Sequence, residues 1–229
     1  MVRPWVLLSV ATSVDGCIDD RSAERLILSN PVDLDRVDAE RAVADAVLVG
    51  ANTIRRDDPR LLVRSAERVA ARVAAGRPAQ PVRVAISGGG ALDLSARFFT
   101  AGDAVPLVYL PSGKPPPPGV DEVATVVGAG APLDPARVLA DLAERGVRRL
   151  MIEGGTAVHT LFLTADLVDE IQLAVAPVFV GDPAAPRFVG AGRFPHDAGN
   201  RMRLAEARPV GDVVLLRYLL APGYPIGRE

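Results

Sequence analysis

Residues 149–163 read RLMIEGGTAVHTLFL, and the order of residue types in this stretch decides the fold. Leu150, Met151 and Ile152 make a short apolar run of the kind that ends a buried strand. Glu153 follows, then Gly154-Gly155, then Ala157, Val158, Leu161, Phe162 and Leu163 in a helix-compatible run. Strand, glycine turn and helix in that order bring backbone N–H groups to a helix N-terminus, where phosphate oxygens bind. Glycine lets the backbone approach a ligand where a Cβ would collide. Glu153 falls at the C-terminal end of the strand, the edge at which open α/β sheets bind ligands. Its carboxylate reads either as a helix-start cap or as a functional acid. A glycine pair also closes ordinary strand–helix turns, so the rest of the chain has to decide.

The 229 residues are 49% hydrophobic and 24% charged, which suits one core-forming domain. The 21 Gly and 20 Pro are assigned to turns rather than to disorder. A net charge of −2 gives no electrostatic case for nucleic acid or a membrane surface. The single Cys17 excludes an internal disulfide and a cysteine metal cage, and no metal site is expected. A small buried or loop residue describes it better than a reactive thiol. The first segment, WVLLSVATSVDG (residues 5–16), is too short for a membrane span and lacks a small-residue cleavage site. The chain therefore reads as soluble and cytoplasmic.

Outward from the central stretch, strands and helices alternate. Trp5 to Ala11 is a near-continuous apolar run, expected to be a central strand. It ends in Ser13-Val14-Asp15-Gly16, where Asp15 serves turn chemistry alone unless the fold points this loop into a cleft. Ser29-Asn30-Pro31 opens a helix carrying Leu34, Val37, Arg41 and Ala44, with Asp33, Asp35 and Asp38 toward its start. Ala46 to Gly50 is a second buried strand, and Ala51-Asn52-Thr53 continues it as a strand-to-loop edge offering the Thr53 hydroxyl. Arg55 to Arg64, with four arginines and two aspartates around Pro59, reads as a loop. It is either a solvated charged surface or an anion clamp, since arginine meets phosphate bidentately.

Ser65 to Ala75 is expected as a surface helix and Val82 to Ile86 as a third strand, ending in Ser87-Gly88-Gly89-Gly90. Val105 to Leu110 is another strand, and Pro111 to Gly119 an extended proline-rich loop whose Gly-Lys lacks the spacing of a P-loop. Val123 to Val127 reads as an edge strand and Leu133 to Arg145 as an amphipathic helix stopped by Gly146. Leu167 to Ala176 looks half-exposed, Asp182 to Asn200 is a long loop, and Val213 to Leu220 is the final strand. The last two strands lack a long helix between them. The pattern predicts an α/β fold with a mixed, mostly parallel central sheet flanked by helices and an antiparallel, hairpin-like C-terminal part.

With those blocks in hand, the chain resembles the pyrimidine reductases of riboflavin biosynthesis, which have a dihydrofolate-reductase-like fold. The resemblance runs from Ser9 to about Leu220 through SVATSVDG, LSNP, DAVLVGANTIRRDDPRLLVR, IEGGTAVHTLFL and LVDEIQLAVAPVFVG, in that order. It implies one reductase domain over residues 1–221, a C-terminal tail over 222–229, and a homodimer. It also implies NADPH as cofactor and a phosphoribosylaminopyrimidine as substrate. By matching motif, Thr53, Asp57 and Ser87 would contact NADP, as would the turn through Gly154, Gly155, Thr156 and Ala157. Arg41, Leu61, Arg64 and Glu153 would contact substrate, with Glu153 and Asp15 as candidate catalytic groups. The family block often carries a tryptophan where this chain has Leu26-Ile27-Leu28-Ser29, and Glu24 and Arg25 replace small or polar residues. The zinc deaminase often fused to such reductases has no signature here.

The chemistry implied is hydride delivery to C1′ of a ribosylamine that ring-opens to an imine, with the protein supplying orientation. The uracil and the 2-amino form of the substrate remain equivalent at this level. Two other classes stay open: a same-fold oxidoreductase acting on a pterin, and a catalytically silent nucleotide-binding dimer module. His159 and His196 lack a partner pattern for nucleophilic or metal catalysis and read as structural.

Overall fold

The computed structural model describes residues 3–22, 24–89, 92–113 and 115–220. The expected tail over 222–229, Gly90 of the second glycine edge and Lys114 of the proline-rich loop lie outside the described residues. Strands β1 (Trp5–Thr12), β2 (Ala46–Gly50), β3 (Val82–Ile86), β4 (Leu107–Leu110), β5 (Thr125–Gly128), β6 (Arg149–Gly154) and β7 (Glu170–Val175) precede a terminal pair, β8 (Arg203–Val210) and β9 (Val213–Leu219). They form one sheet in the order β5-β4-β3-β2-β6-β1-β7-β9-β8. β5 through β7 are parallel neighbours, and β9 is antiparallel to both β7 and β8. The expected mixed, mostly parallel sheet with an antiparallel C-terminal part is the one observed.

Helices cover both faces. On one, Leu8, Leu48, Val84 and Ile152 pack with α6 (Pro135–Glu144) and α7 (Thr156–Thr164) through Val138, Leu142, Val158 and Phe162. On the other, Leu7, Val47, Val49 and Met151 pack with Ile54 of α2 (Ala51–Asp57), Phe98 and Phe99 of α4 (Arg97–Thr100), and Val120 of α5 (Val120–Val123). α1 (Pro31–Val43) lies on this second face and joins α3 (Ala66–Ala74) through Arg68. The C-terminal end of α1 is closed by two arginines. Arg72 donates to Ala42 and Ala44 carbonyls at 2.8 and 2.7 Å, and Arg77 Nη2 donates to Val43 and Ala44 carbonyls at 3.0 and 2.9 Å. Those are the orphan carbonyls every helix end exposes.

Three local expectations change. Ala51-Asn52-Thr53 begins a helix rather than a loop, because Ile54 buries to 1% exposure while Arg55 and Arg56 stay outside. That turns part of the arginine-rich run into an amphipathic turn of α2. The supposedly half-exposed 167–176 segment is a largely buried strand: Glu170 and Gln172 are 1% and 3% exposed, because charged partners meet them there. Strand β8 was not anticipated, since its polar residues at the sheet edge carry no apolar run.

Candidate active site

The C-terminal ends of β2, β3 and β6 place Gly50, Ile86 and Gly154 along one edge of the sheet. The ligand-bearing edge of an α/β sheet is this one. Gly154 closes β6, and Gly155 caps α7 with φ +101 and no side-chain cap bond. A Cβ at Gly155 would sit 3.0 Å from Thr53 Oγ1, and one at Gly154 3.3 Å from the same atom. Thr53, Gly154 and Gly155 thus meet where β2 and β6 end. The first-turn N–H groups of α7, at Thr156 and Ala157, lack an intrahelical partner by helix geometry and have no capping side chain. The backbone cradle that a Cβ would fill fits a phosphate-bearing cofactor. Ser87 is buried at the end of β3, next to β2, and its Oγ accepts from Gly89 N at 3.3 Å. Asp57 ends α2; burial pushes its carboxyl up, the cations Arg25 and Arg56 pull it down, and Asp19 adds to the rise.

Glu153 points to the face of α1. Its two carboxylate oxygens accept from Arg41 Nε and Nη2 at 2.5 and 2.6 Å, with both side chains 12% exposed. Arg41 Nη1 also donates to the Leu62 carbonyl at 3.3 Å. Glu153 therefore does not cap α7, and Arg41 is not a free phosphate clamp: the two form one bidentate, nearly buried pair. Burial would lower the Arg41 pKa, yet Glu153 and Asp38 together hold it above the ordinary value. Leu61 is 2% exposed with φ +53, and Arg64, three residues on, is exposed. The Arg64 guanidinium makes no hydrogen bond or ion pair among the described residues.

Asp15 is on the loop after β1 and shares no hydrogen bond with this pair. It accepts from Ser13 Oγ at 2.6 Å, Val180 N at 3.1 Å and Gly181 N at 2.8 Å. Those bonds, led by the Ser13 hydroxyl, bring its pKa down to about 2. Such a group is a carboxylate throughout the neutral range and has no proton to give; it fastens the β1 loop to the segment after β7. Arg187 joins the same fastening, donating to the Asp15 carbonyl at 3.0 Å, and Cys17 is buried beside it as an isolated bridge to Arg187. His159 is buried within the fold with Nδ1 2.9 Å from the Phe188 carbonyl, and burial pushes its pKa down to about 4. It stays neutral, in keeping with a structural role.

Sequence reasoning did not find the side chains that hold the site. Asp38 accepts from the backbone N–H groups of Arg64 and Ser65, and Gln80 pairs with both backbone groups of Val63. Asp38 carried one signal, its spacing of three from Arg41 on α1, which shares a helix face. Gln80 carried none. Beneath α1, Gln172 bridges Glu40 and Glu170, Arg36 donates to Gln172, and Arg217 pairs with Glu170. A cavity of about 390 Å³ opens over this network, and another of about 340 Å³ lies between Leu26–Asn30 and Ala176–Val180. Neither is lined by Glu153.

A mostly parallel sheet with β9 reversed and a glycine turn after β6 defines a dihydrofolate-reductase-like scaffold built for a reductase site. Solved structures agree: Acinetobacter baumannii RibD superposes at a TM-score of 0.78 with 25% identity over 96% of this chain and 59% of its own. This chain thus spans somewhat over half of that protein. A pyrimidine reductase-like protein from Corynebacterium diphtheriae gives 0.76 at 22% identity, over 96% of this chain and 93% of its own, and speaks for the fold. The family model described as the RibD C-terminal domain matches residues 4–216, and the chain belongs to that family. Among its relatives, the 2,5-diamino-6-ribosylamino-4(3H)-pyrimidinone 5′-phosphate reductase of Archaeoglobus fulgidus is 36% identical over 189 residues, 81% of this chain and 85% of its own. The protein of the same name from Methanothermobacter thermautotrophicus is 35% identical over 226 residues, 95% and 98% of the two chains.

Proposed function

We propose that this chain, a pyrimidine reductase of riboflavin biosynthesis, acts on the diamino form of the substrate, 2,5-diamino-6-ribosylamino-4(3H)-pyrimidinone 5′-phosphate, with NADPH as cofactor. The observation that carries the reading is the Arg41–Glu153 pair at the end of β6, directly before the Gly154-Gly155 cradle. It puts a polar, substrate-sized contact next to a backbone surface suited to a dinucleotide. The diamino form is favoured by the names of the relatives that match along most of their own length. Thr53, Asp57, Ser87 and the turn Gly154 to Ala157 would hold the cofactor, which supplies hydride when bound.

The chain's own residues bind and orient. Arg64 meets the 5′-phosphate, being an exposed cation whose guanidinium has no hydrogen bond or ion pair among the described residues. Arg41 and Glu153, already matched in charge, form a hydrogen-bonding rim for the uncharged ribosylamino part, and Leu61 completes the wall. Turnover with both candidate pyrimidines, followed by loss of NADPH absorbance, tests the reading. Reduction of the diamino form at the higher kcat/KM is expected, with NADPH preferred over NADH. Turnover of a pterin alone, or NADPH binding without turnover, would replace it by one of the other two classes. Arg64→Ala should lower kcat/KM for the phosphorylated substrate about tenfold or more relative to its dephosphorylated analogue. Arg41→Ala should lower both alike.

A homodimer is part of the same proposal. One face of β7, β9 and β8 carries Ile171, Leu173, Val175, Val214, Leu216 and Tyr218 with no charge among them. Val214 is 46% exposed and Leu204, paired with Tyr218, 53%. Glu170 of β7 and Arg217 of β9 face α1 instead. Ile171 is covered by the core, whereas toward the edge Val214 and Leu204 leave this apolar face open, which suits packing against its own copy.

A further inference from the structure

The segment Leu62–Ser65 carries the proposed phosphate contact, yet no strand pairs with it. Three side chains, two of them from α1, do the work of a ladder. Arg41 Nη1 reaches the Leu62 carbonyl at 3.3 Å. Gln80 imitates a strand neighbour: its Oε1 accepts from Val63 N at 2.7 Å and its Nε2 donates to Val63 O at 3.2 Å. Asp38, 4% exposed on α1, takes the next two residues. Its Oδ1 accepts from Arg64 N at 2.6 Å and its Oδ2 from Ser65 N at 3.2 Å. Arg68 Nη1 donates to the same Oδ2 at 3.0 Å and holds the carboxylate from behind.

A buried carboxylate that accepts two adjacent N–H groups determines the direction in which the chain leaves them. Here those groups belong to Arg64 itself and to Ser65, the N-cap of α3. The Arg64 side chain has no protein partner among the described residues, so what the protein fixes is its starting point and its Cα–Cβ direction. We propose that Asp38 is the positioning residue for phosphate recognition, setting the backbone of Arg64 so that its guanidinium meets the anion. The inference rests on the functional reading above for Arg64 as the anion contact and for the identity of the anion. Arg36 and Glu40, on the same helix, are engaged with Gln172 and Arg149 and do not reach this segment.

Ribose 5-phosphate titrated by calorimetry reads the subsite without turnover. Steady-state kinetics with phosphorylated and dephosphorylated substrate are run beside it. Asp38→Asn keeps the shape of the side chain but can accept only one of the two N–H groups. It should raise the Kd of ribose 5-phosphate and the KM of the phosphorylated substrate roughly tenfold, leaving kcat and the dephosphorylated substrate unchanged. Adding Arg64→Ala should cost no more than Arg64→Ala alone, and Asp38→Glu should recover part of the loss. Asp35→Asn, which breaks only the Arg68 pair at a side chain 67% exposed, should change nothing. Gln80→Ala loosens the same segment from its other side and should shift Kd in the same direction, so the test survives a misfolded Asp38 variant. An unchanged Kd in Asp38→Asn, additive losses with Arg64→Ala, or equal losses on both substrates would overturn the proposal. So would a wild type that does not bind ribose 5-phosphate. A wild type that binds it with the Asp38 effect, yet reduces neither pyrimidine, would instead sink the functional reading and leave Asp38 in place.

Discussion

Arg41 and Glu153 stand 112 positions apart and share two hydrogen bonds in a setting where each is 12% exposed. Removing one partner leaves the other charge buried without compensation, a loss of about 3–5 kcal/mol in such pairs. Arg41→Ala and Glu153→Ala should each destabilise by that order in denaturant unfolding. The double variant should fall short of the sum by on the order of 0.5–3 kcal/mol; strict additivity would mean the two do not interact. Asp15 gives a pH prediction with a definite sign. Its carboxyl is lowered from the ordinary 3.8 to about 2. A depressed carboxyl stabilises the fold above its unfolded pKa and loses that contribution as pH falls through the folded one. The stability of the wild type should therefore decline between about pH 4 and pH 2 more steeply than that of Asp15→Asn. The pH–rate profile through the neutral range should show no inflection that Asp15→Asn removes. An inflection that disappears in the variant would restore Asp15 as a proton-transfer group.

Helix α1 begins where the chain's last hairpin turns. Asn30 Oδ1 accepts from Asp33 N at 2.9 Å as an N-cap, while its Nδ2 donates to the Val210 carbonyl at 2.7 Å and to Asp212 Oδ1 at 2.6 Å. Asn30→Ala should cost more than the roughly 1 kcal/mol of an ordinary cap, because the β8–β9 turn loses its anchor too. Asn30→Asp keeps the cap acceptor but sets a carboxylate against Asp212, so it should also fall below wild type in thermal unfolding. A variant as stable as wild type would reduce Asn30 to its cap. The turn between β6 and α7 is governed by conformation as well as space. At Gly155 a Cβ would meet Thr53 Oγ1 at 3.0 Å in backbone with φ +101. Gly155→Ala should weaken NADPH at least tenfold in a fluorescence titration. Gly76→Ala, strained at φ +71 but with nothing within 4 Å, should lower stability and leave affinity intact.

The sheet as a whole separates two jobs. Its parallel part presents the edge where β2, β3 and β6 end, and its reversed β9 turns an apolar face outward. In the homodimer proposed above, Leu216→Glu should leave the helices intact by circular dichroism and shift the molecule to monomer in light scattering; a wild type that is already monomeric would overturn the dimer itself. A variant that stays dimeric would place the interface elsewhere.

Apolar runs were enough to locate β1, β2, β3 and β6, because a strand buried on both faces has to be apolar along its length, and β9, which is apolar apart from Arg217 and the hydroxyl of Tyr218. The glycine turn and Glu153 were legible as a strand–turn–helix junction at the ligand-bearing edge of the sheet, although a glycine pair alone also closes ordinary turns. β8 escaped because an edge strand tolerates polar residues, and α2 because its arginines hide the single buried Ile54. What the residues alone determined was the order of the strands, the glycine turn after β6 and the carboxylate that precedes it; the wider list of site groups came from the resemblance. Only the tertiary structure decided how they are used. Arg41 is bound to Glu153 rather than open to phosphate, Asp15 is spent on Val180 and Gly181, and the Arg64 segment hangs on Asp38 and Gln80. Local sequence reports burial and backbone preference, which repeat with the period of a strand or helix. A hydrogen bond between side chains a hundred residues apart leaves no such period, and it exists only once the sheet has brought the two chains within about 3 Å of each other.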